Sequence, residues 1–172
     1  IENDNNSKTD LIRNLKELAR TVSVFDQMKV TGELRENLND IQGPLKEEFF
    51  KVYARHFVVR ITEVRDNDDD FEGQTFDFDE FVKSIVNLET NYREPAEGDN
   101  QSSEEFKRIY TAISLYTTFV LEEPIHPVGT KFPGHLEVEY HDGTYYCPVK
   151  KNNEDNPRAV CQFCIAEQLE YD

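Results

Sequence analysis

The proline at position 124 most constrains how this chain can fold. Before it, apolar residues recur every three to four positions, the spacing of helices packed on one side. After it, 126–164 holds all three cysteines, three of the four histidines and four of the seven prolines. Proline has no backbone N–H, and its ring clashes with a preceding helical turn, so no helix runs through position 124. The chain must therefore change its architecture there.

The helical part is read in order. Residues 1–8 are polar and expected to fray. Thr9 caps a first helix carrying Leu11, Ile12, Leu15, Leu18 and Ala19. Ser23 and Asp26 open a second over 24–38, with Phe25, Met28, Leu34 and Leu38 facing inward and Gly32 interrupting it. Gly43-Pro44 marks a turn. Over 45–64 the residues Leu45, Phe49, Val52, Tyr53, His56, Phe57, Arg60, Ile61 and Val64 form one stripe. His56 on that stripe reads as a core or boundary histidine rather than a functional one. Asp77-Phe78-Asp79-Glu80 caps a fourth helix to about 92, and Ser102 with Glu105 caps a fifth over 103–122. The fifth is apolar around much of its circumference (Phe106, Ile109, Tyr110, Ile113, Tyr116, Phe119), which predicts a central position. Short connections make this an irregular helical bundle of about five helices over 9–123, so the fold class is mostly α.

After Pro124 the pattern alternates. Leu136-Glu137-Val138-Glu139-Tyr140-His141 meets Asp142-Gly143, a two-residue hairpin signal, and 144–149 returns. That turn sets His141 opposite Thr144, Tyr140 opposite Tyr145, Val138 opposite Cys147 and Leu136 opposite Val149. Cys147 then points inward. A polar loop over 150–155 follows, and Asn156-Pro157 starts a short final helix carrying Cys161 and Cys164. The whole, 1–172, is expected to form one domain, with 124–172 as its cysteine-containing segment.

Three cysteines make a poor disulfide framework, whereas C-x-x-C is good ligand spacing. Zinc prefers thiolate and imidazole in a tetrahedron. Cys161 and Cys164 supply two ligands, inward Cys147 a third, and His126, held between Pro124 and Pro127, a fourth. The competing reading is three reduced, packed thiols. An iron–sulfur cluster on the same ligands is a further alternative. A deaminase-type site, drawn from His135-Leu136-Glu137 and the C-x-x-C pair, fails twice. Val160 stands where that pattern has proline, and the hairpin register turns His135 and Glu137 away from Cys147. Asp68 to Asp79 has carboxylates and a glycine near calcium-loop positions, but Thr75, Phe76 and Asp79 depart from that pattern. A solvated acidic turn leading into a helix cap accounts for it better.

The net charge of −16 repels phosphate, which argues against nucleic acid and anionic membrane as partners. No apolar run approaches the ~20 residues of a membrane span, and a reducing cytoplasm suits the thiols. Neither a phosphate-binding glycine loop nor a serine-nucleophile motif is present.

Four pieces of the C-terminal segment carry a resemblance: Glu122-Glu123-Pro124-Ile125-His126-Pro127-Val128-Gly129, Phe132-Pro133-Gly134, Cys147-Pro148-Val149-Lys150, and Asn156-Pro157 with Ala159, Cys161, Phe163 and Cys164. Together they resemble an uncharacterised archaeal family, a domain of unknown function found mainly in methanogens. The resemblance implies a cytosolic archaeal protein and brings no activity, cofactor or catalytic residue with it. The leading reading is thus a binding or structural protein with a zinc-type Cys3His clip at Cys147, Cys161, Cys164 and His126. The alternatives are a metal-dependent, hydrolase-like enzyme using the same cluster, or an iron–sulfur protein.

Overall fold

A computed structural model of the chain describes residues 6–37, 43–93, 102–156 and 159–170. It is mostly helical before Pro124 and irregular, with short strands, after it. The helices are α1 (Lys8–Arg20), α2 (Val24–Asn37), α3 (Pro44–Asp66), α4 (Phe78–Arg93) and α5 (Glu104–Leu115).

Each start has a local cause. Ser7 caps α1, its hydroxyl accepting from the Asp10 N–H at 3.4 Å, so the cap lies two residues before the expected Thr9. Residues 6–8 are held rather than frayed: the Lys8 N–H donates to the Gln74 carbonyl at 3.0 Å and the Phe76 N–H to the Asn6 carbonyl at 3.1 Å. Ser23 and Asp26 form a reciprocal cap on α2, at 2.8 and 3.1 Å. Asp77 caps α4 by accepting from the Glu80 N–H at 3.0 Å. Ser103, not Ser102, caps α5, accepting from the Phe106 N–H at 3.1 Å.

The core joins Leu11, Ile12 and Leu15 of α1, Val30 and Leu34 of α2, Phe57, Ile61 and Val64 of α3, and Ile109 and Ile113 of α5. Fully burying each such aliphatic side chain stabilises by about 1.5–3 kcal/mol. As expected, α5 is central, packing on α1, α2, α3 and α4. The face predicted for α2 is corrected in part: Leu34 is buried as expected, but Phe25 and Met28 are not. Phe25 and Met28 are 82% and 67% exposed, because α2 packs through Val30 and Leu34, one turn apart. Leu38 lies outside the described residues, as does the Leu45 side chain.

The end of α5 does not continue as α-helix. Tyr116–Val120 forms a π turn, in which the Leu121 N–H reaches back five residues to the Tyr116 carbonyl at 3.0 Å. Pro124 biases Glu123 away from helical backbone, and Glu122 takes a left-handed conformation with φ 56°. Two ion pairs fix this exit. Lys8, a buried residue, meets the Glu122 carboxylate at 2.6 Å, and Arg60 meets that of Glu123 at 2.6 Å.

Beyond it lie β1 (Lys131–Phe132), β2 (Leu136–Glu137), β3 (Glu139–His141), β4 (Thr144–Cys147), a short α6 (Lys150–Asn153), a 3-10 turn (Val160–Gln162) and β5 (Glu167–Gln168). The hairpin register is as expected from Glu139 to His141, with Tyr140 opposite Tyr145 and His141 opposite Thr144. It does not extend back to Leu136. At Val138 the chain changes partners, its N–H donating to the Thr130 carbonyl at 3.1 Å and its carbonyl accepting from the Gly129 N–H at 2.8 Å. Leu136 therefore pairs with Phe132 rather than Val149. Two elements differ from the sequence reading: α6 stands where a polar loop was expected, and β5 adds a parallel strand to β4. The expected final helix is the single 3-10 turn, and Pro157 lies outside the described residues.

Candidate functional site

The three cysteines converge because the chain returns on itself. Cys147 ends β4, and β5 lays Gln168 beside it, which brings the preceding C-x-x-C turn up against the strand. Cys147 is buried in a small cluster with Val138 and Ala166. Cys164 packs on both this cluster and the helical core, so it sits at their junction. All three thiols are free.

The electrostatics of the cluster have two opposing sides. Burial pushes the Cys147 thiol up, and pushes Cys161 to about 11 with help from neighbouring Cys164 and Cys147. Against this, the backbone N–H groups of Val149 and Lys150 and the nearby Lys150 ammonium act to favour the Cys147 thiolate, and Lys150 acts likewise on Cys161. Lys150 also donates to the Cys161 carbonyl and, at 2.7 Å, to that of Cys164, clamping the C-x-x-C turn. From α4, buried Asn87 reaches the Gln162 side chain at 3.1 Å and the Ala159 carbonyl at 3.4 Å.

His126 is placed differently from the thiols. Its ring stacks on Tyr53 at 5.6 Å and meets the edge of Phe132 at 5.7 Å, while Phe132 itself packs on the Cys147 cluster. Burial lowers His126 to about 4. His56 is lowered to about 4 as well, first by burial, then by Arg60 and His126. Among the described residues its Nε2 has no hydrogen-bond partner. Tyr53 joins Tyr110 by a hydrogen bond and is pushed to about 12 by burial; Tyr110, raised for the same reason, lies near Cys161. A half-buried line of polar groups thus runs from His56 and His126 through Tyr53 and Tyr110 to the cysteine turn. Among the described residues, no set of three or more His, Cys, Asp or Glu side chains stands in an arrangement that could hold a metal ion as it is.

His135 and His141 take no part in this cluster. His135 sits in the turn before β2 with φ 63°, and exposed His141 pairs with Glu139 at 2.5 Å. The acidic stretch 67–76 is a turn held by its own side chains, with Asp70 accepting from the Glu72 N–H at 2.9 Å, and by the backbone bonds of Gln74 and Phe76 to residues 6–8. Sequence reasoning missed Lys150, the nearness of His56 to His126 and the two ion pairs at Glu122 and Glu123. Only Lys150 left a signal, as a lysine three residues after a cysteine.

The chain matches, over residues 7–169, the family described as "Uncharacterized protein conserved in archaea (DUF2115)". A UPF0305 protein of Methanothermobacter thermautotrophicus is 30% identical over 162 residues, covering 94% of this chain and 96% of the relative. One from Methanococcus maripaludis is 27% identical, covering 90% and 93%. One from Methanopyrus kandleri is 34% identical, covering 72% and 80%. No solved structure matches the chain. No helix among the described residues is long and apolar enough to cross a membrane.

Proposed function

The chain belongs to this family of uncharacterized archaeal proteins, and from that premise we propose a binding or structural protein whose Cys147, Cys161 and Cys164 thiols take up one zinc ion. The observation that carries this is the convergence of three free thiols: Cys147 and Cys164 pack in one small cluster, and Cys161 lies near both. The nearby Lys150 charge favours the thiolates of Cys147 and Cys161, the form that binds metal. The Lys150 clamp on the C-x-x-C carbonyls supports the same reading, since it fixes two ligands on one turn. The ion would draw the three sulfurs inward as their protons leave. His126 is the proposed fourth ligand. To reach the ion its ring would have to leave the stack on Tyr53.

A second reading, a metal-dependent enzyme on the same thiols, has one observation in its favour: Cys164 also lines a cleft shared with Glu122 and Thr118. A fourth position open to that cleft could hold water.

The test is metal content by mass spectrometry, on protein purified anaerobically without chelator, for the wild type and for Cys161→Ser/Cys164→Ser. About one zinc per wild-type chain and none in the variant is the expected result. Cobalt substitution of His126→Phe then separates the readings. A changed spectrum assigns His126 to the ion; an unchanged one leaves the fourth position to solvent. Equal metal content in wild type and double variant, or brown iron-containing protein, would overturn zinc at these thiols.

A further inference from the structure

The three most exposed large apolar side chains among the described residues stand together on the outward face of α2. Val24, Phe25 and Met28 are 69%, 82% and 67% exposed, whereas Val30 and Leu34 on the opposite side are buried. Gly32 and Arg35, both exposed, continue this face toward the end of the helix, since residues three and four apart share a side. One border is closed by Lys29 and Glu33, which hold α5: Lys29 meets the Glu105 carboxylate at 2.7 Å, and Glu33 accepts from the Ser103 N–H at 3.3 Å. The other border is the seam with α3, where half-buried Val58 stands beside Gln27 and Thr31.

Gly32 is an independent observation. Inside a helix, glycine costs stability relative to alanine. Nothing in the chain itself requires it: a Cβ built there meets no atom within 4 Å, and its backbone is ordinary helix. What a missing side chain permits is close approach from outside. This hole lies one turn from Met28 and two turns from Phe25. Knobs and hole on one face of one helix meet the condition for a self-complementary contact under two-fold symmetry.

We propose that α2 packs antiparallel against α2 of a second copy of this chain, about a two-fold axis at the level of residue 30. Met28 then enters the space over the second copy's Gly32, Phe25 covers its Arg35, and each contact occurs twice. Arg35 already stands over the Phe50 ring at 4.4 Å, so its guanidinium is set for aromatic contact. Val24, Phe25, Met28 and Val58 present roughly 500 Å² of apolar surface per chain. Two copies cover roughly 1,000 Å², the lower end for a specific interface, so the dimer is weak, with a Kd on the order of tens of micromolar. Charge selects this occupant over others. Arg35 is answered by Glu47 at 3.6 Å, so the face offers a charged partner neither a run of acids nor a run of bases. A membrane surface calls for lysines beside the apolar residues, and Lys29 is held by Glu105. A second copy needs no charge match and sets the two helix dipoles antiparallel. The −16 charge of each chain opposes the contact, so the dimer tightens as salt screens it.

The test is sedimentation velocity of the full chain from about 1 to about 300 µM, in dilute and in concentrated sodium chloride. Monomer at the low end, dimer at the high end and several-fold tighter dimer in concentrated salt are expected. Phe25→Ser and Gly32→Leu should each weaken the dimer at least tenfold. Urea unfolding at about 1 µM, where the chain is monomeric, separates an interface role from a folding role. There Phe25→Ser should match the wild type. Gly32→Leu should be at least as stable, because leucine is the better helix former and its Cβ meets nothing. A dimer that either variant leaves intact, or one that weakens with salt, would overturn the proposal. A wild type that stays monomeric throughout would overturn it too, and would leave this face to a different partner.

Discussion

Two half-buried histidines should make this protein fragile in mild acid, and His126 lets the size of the effect be worked out. His126 lies among Tyr53 and Phe132, and burial holds it near 4 instead of its usual 6.5. A depressed histidine binds fewer protons folded than unfolded between those two values. Stability from this group is therefore complete above about pH 6.5 and lost as pH falls toward 4. At 1.36 kcal/mol per unit, the loss from pH 7 to 4 is about 3 kcal/mol for His126. His56 contributes in the same direction, because Arg60 and His126 both oppose its protonation. Carboxylates titrate in the same window, and relief of the −16 net charge pulls the other way. A difference between two proteins removes that background. The assay is urea unfolding of wild type and His126→Phe, both freed of metal by chelator, at pH 7, 5.5 and 4.5. Phe keeps the ring against Tyr53 but carries no proton, so the variant should lose less stability toward acid, with a gap growing to about 2 kcal/mol by pH 4.5. Parallel pH curves for the two proteins would refute the reasoning, since they would mean that His126 is solvated enough to protonate freely in the folded state.

Three further outcomes follow from named contacts. Gly143→Ala should cost about 1–2 kcal/mol in urea unfolding, because Gly143 holds φ 85° in open space, where strain and not crowding sets the penalty. Phe25→Ser should shift stability by less than about 0.5 kcal/mol in the same measurement, since this ring is 82% exposed. Lys150→Met removes the clamp on the Cys161 and Cys164 carbonyls and the cation beside the thiols, so alkylation of Cys161 by iodoacetamide should start at higher pH yet, once the thiolate forms, meet a looser turn.

How much of this was legible in the sequence depends on the range of the interaction involved. The caps at Ser23 and Asp77 are signals within four residues, and both form as read. The Asp142-Gly143 turn dictates Tyr140 opposite Tyr145 because a two-residue loop leaves one register. It cannot dictate Leu136. At that distance Thr130 and Gly129, folded back by the Pro127 loop, compete for the backbone of Val138 and win. Phe25 fails for a related reason. Periodicity finds an apolar face, but which of two candidate faces is buried depends on where α5 and α3 lie, and Val30 and Leu34 meet them.

The candidate site divides along the same line. That Cys161 and Cys164 share a turn follows from their spacing, and that Cys147 faces inward follows from the hairpin. What brings the strand to the turn is β5, a two-residue strand with no periodic signal of its own. His126 looked like a ligand because two prolines flank it, and the same prolines also fix the backbone against Tyr53 on α3, a neighbour 73 residues away that no local rule could supply. The π turn belongs here too. Its residues read as one more turn of an apolar helix, and the sole hint was Pro124, which ends a helix without saying how. Lys8 and Arg60, from helices far apart in the sequence, decide that by gripping Glu122 and Glu123 and holding Glu122 in a backbone conformation it would otherwise leave. Both the thiol cluster and the cleft beside Cys164 are thus set by contacts between the two halves of the chain, and Lys8→Met tests that dependence. Its Met stem keeps the packing while releasing Glu122, which is 68% exposed and free to hydrate. If the grip holds the exit, Lys8→Met should lose about 1–2 kcal/mol in urea unfolding and loosen the packing of Cys164 on the helical core, so that its thiol is alkylated faster. Stability lost with alkylation unchanged would show that the exit is held by Pro124 and the π turn alone.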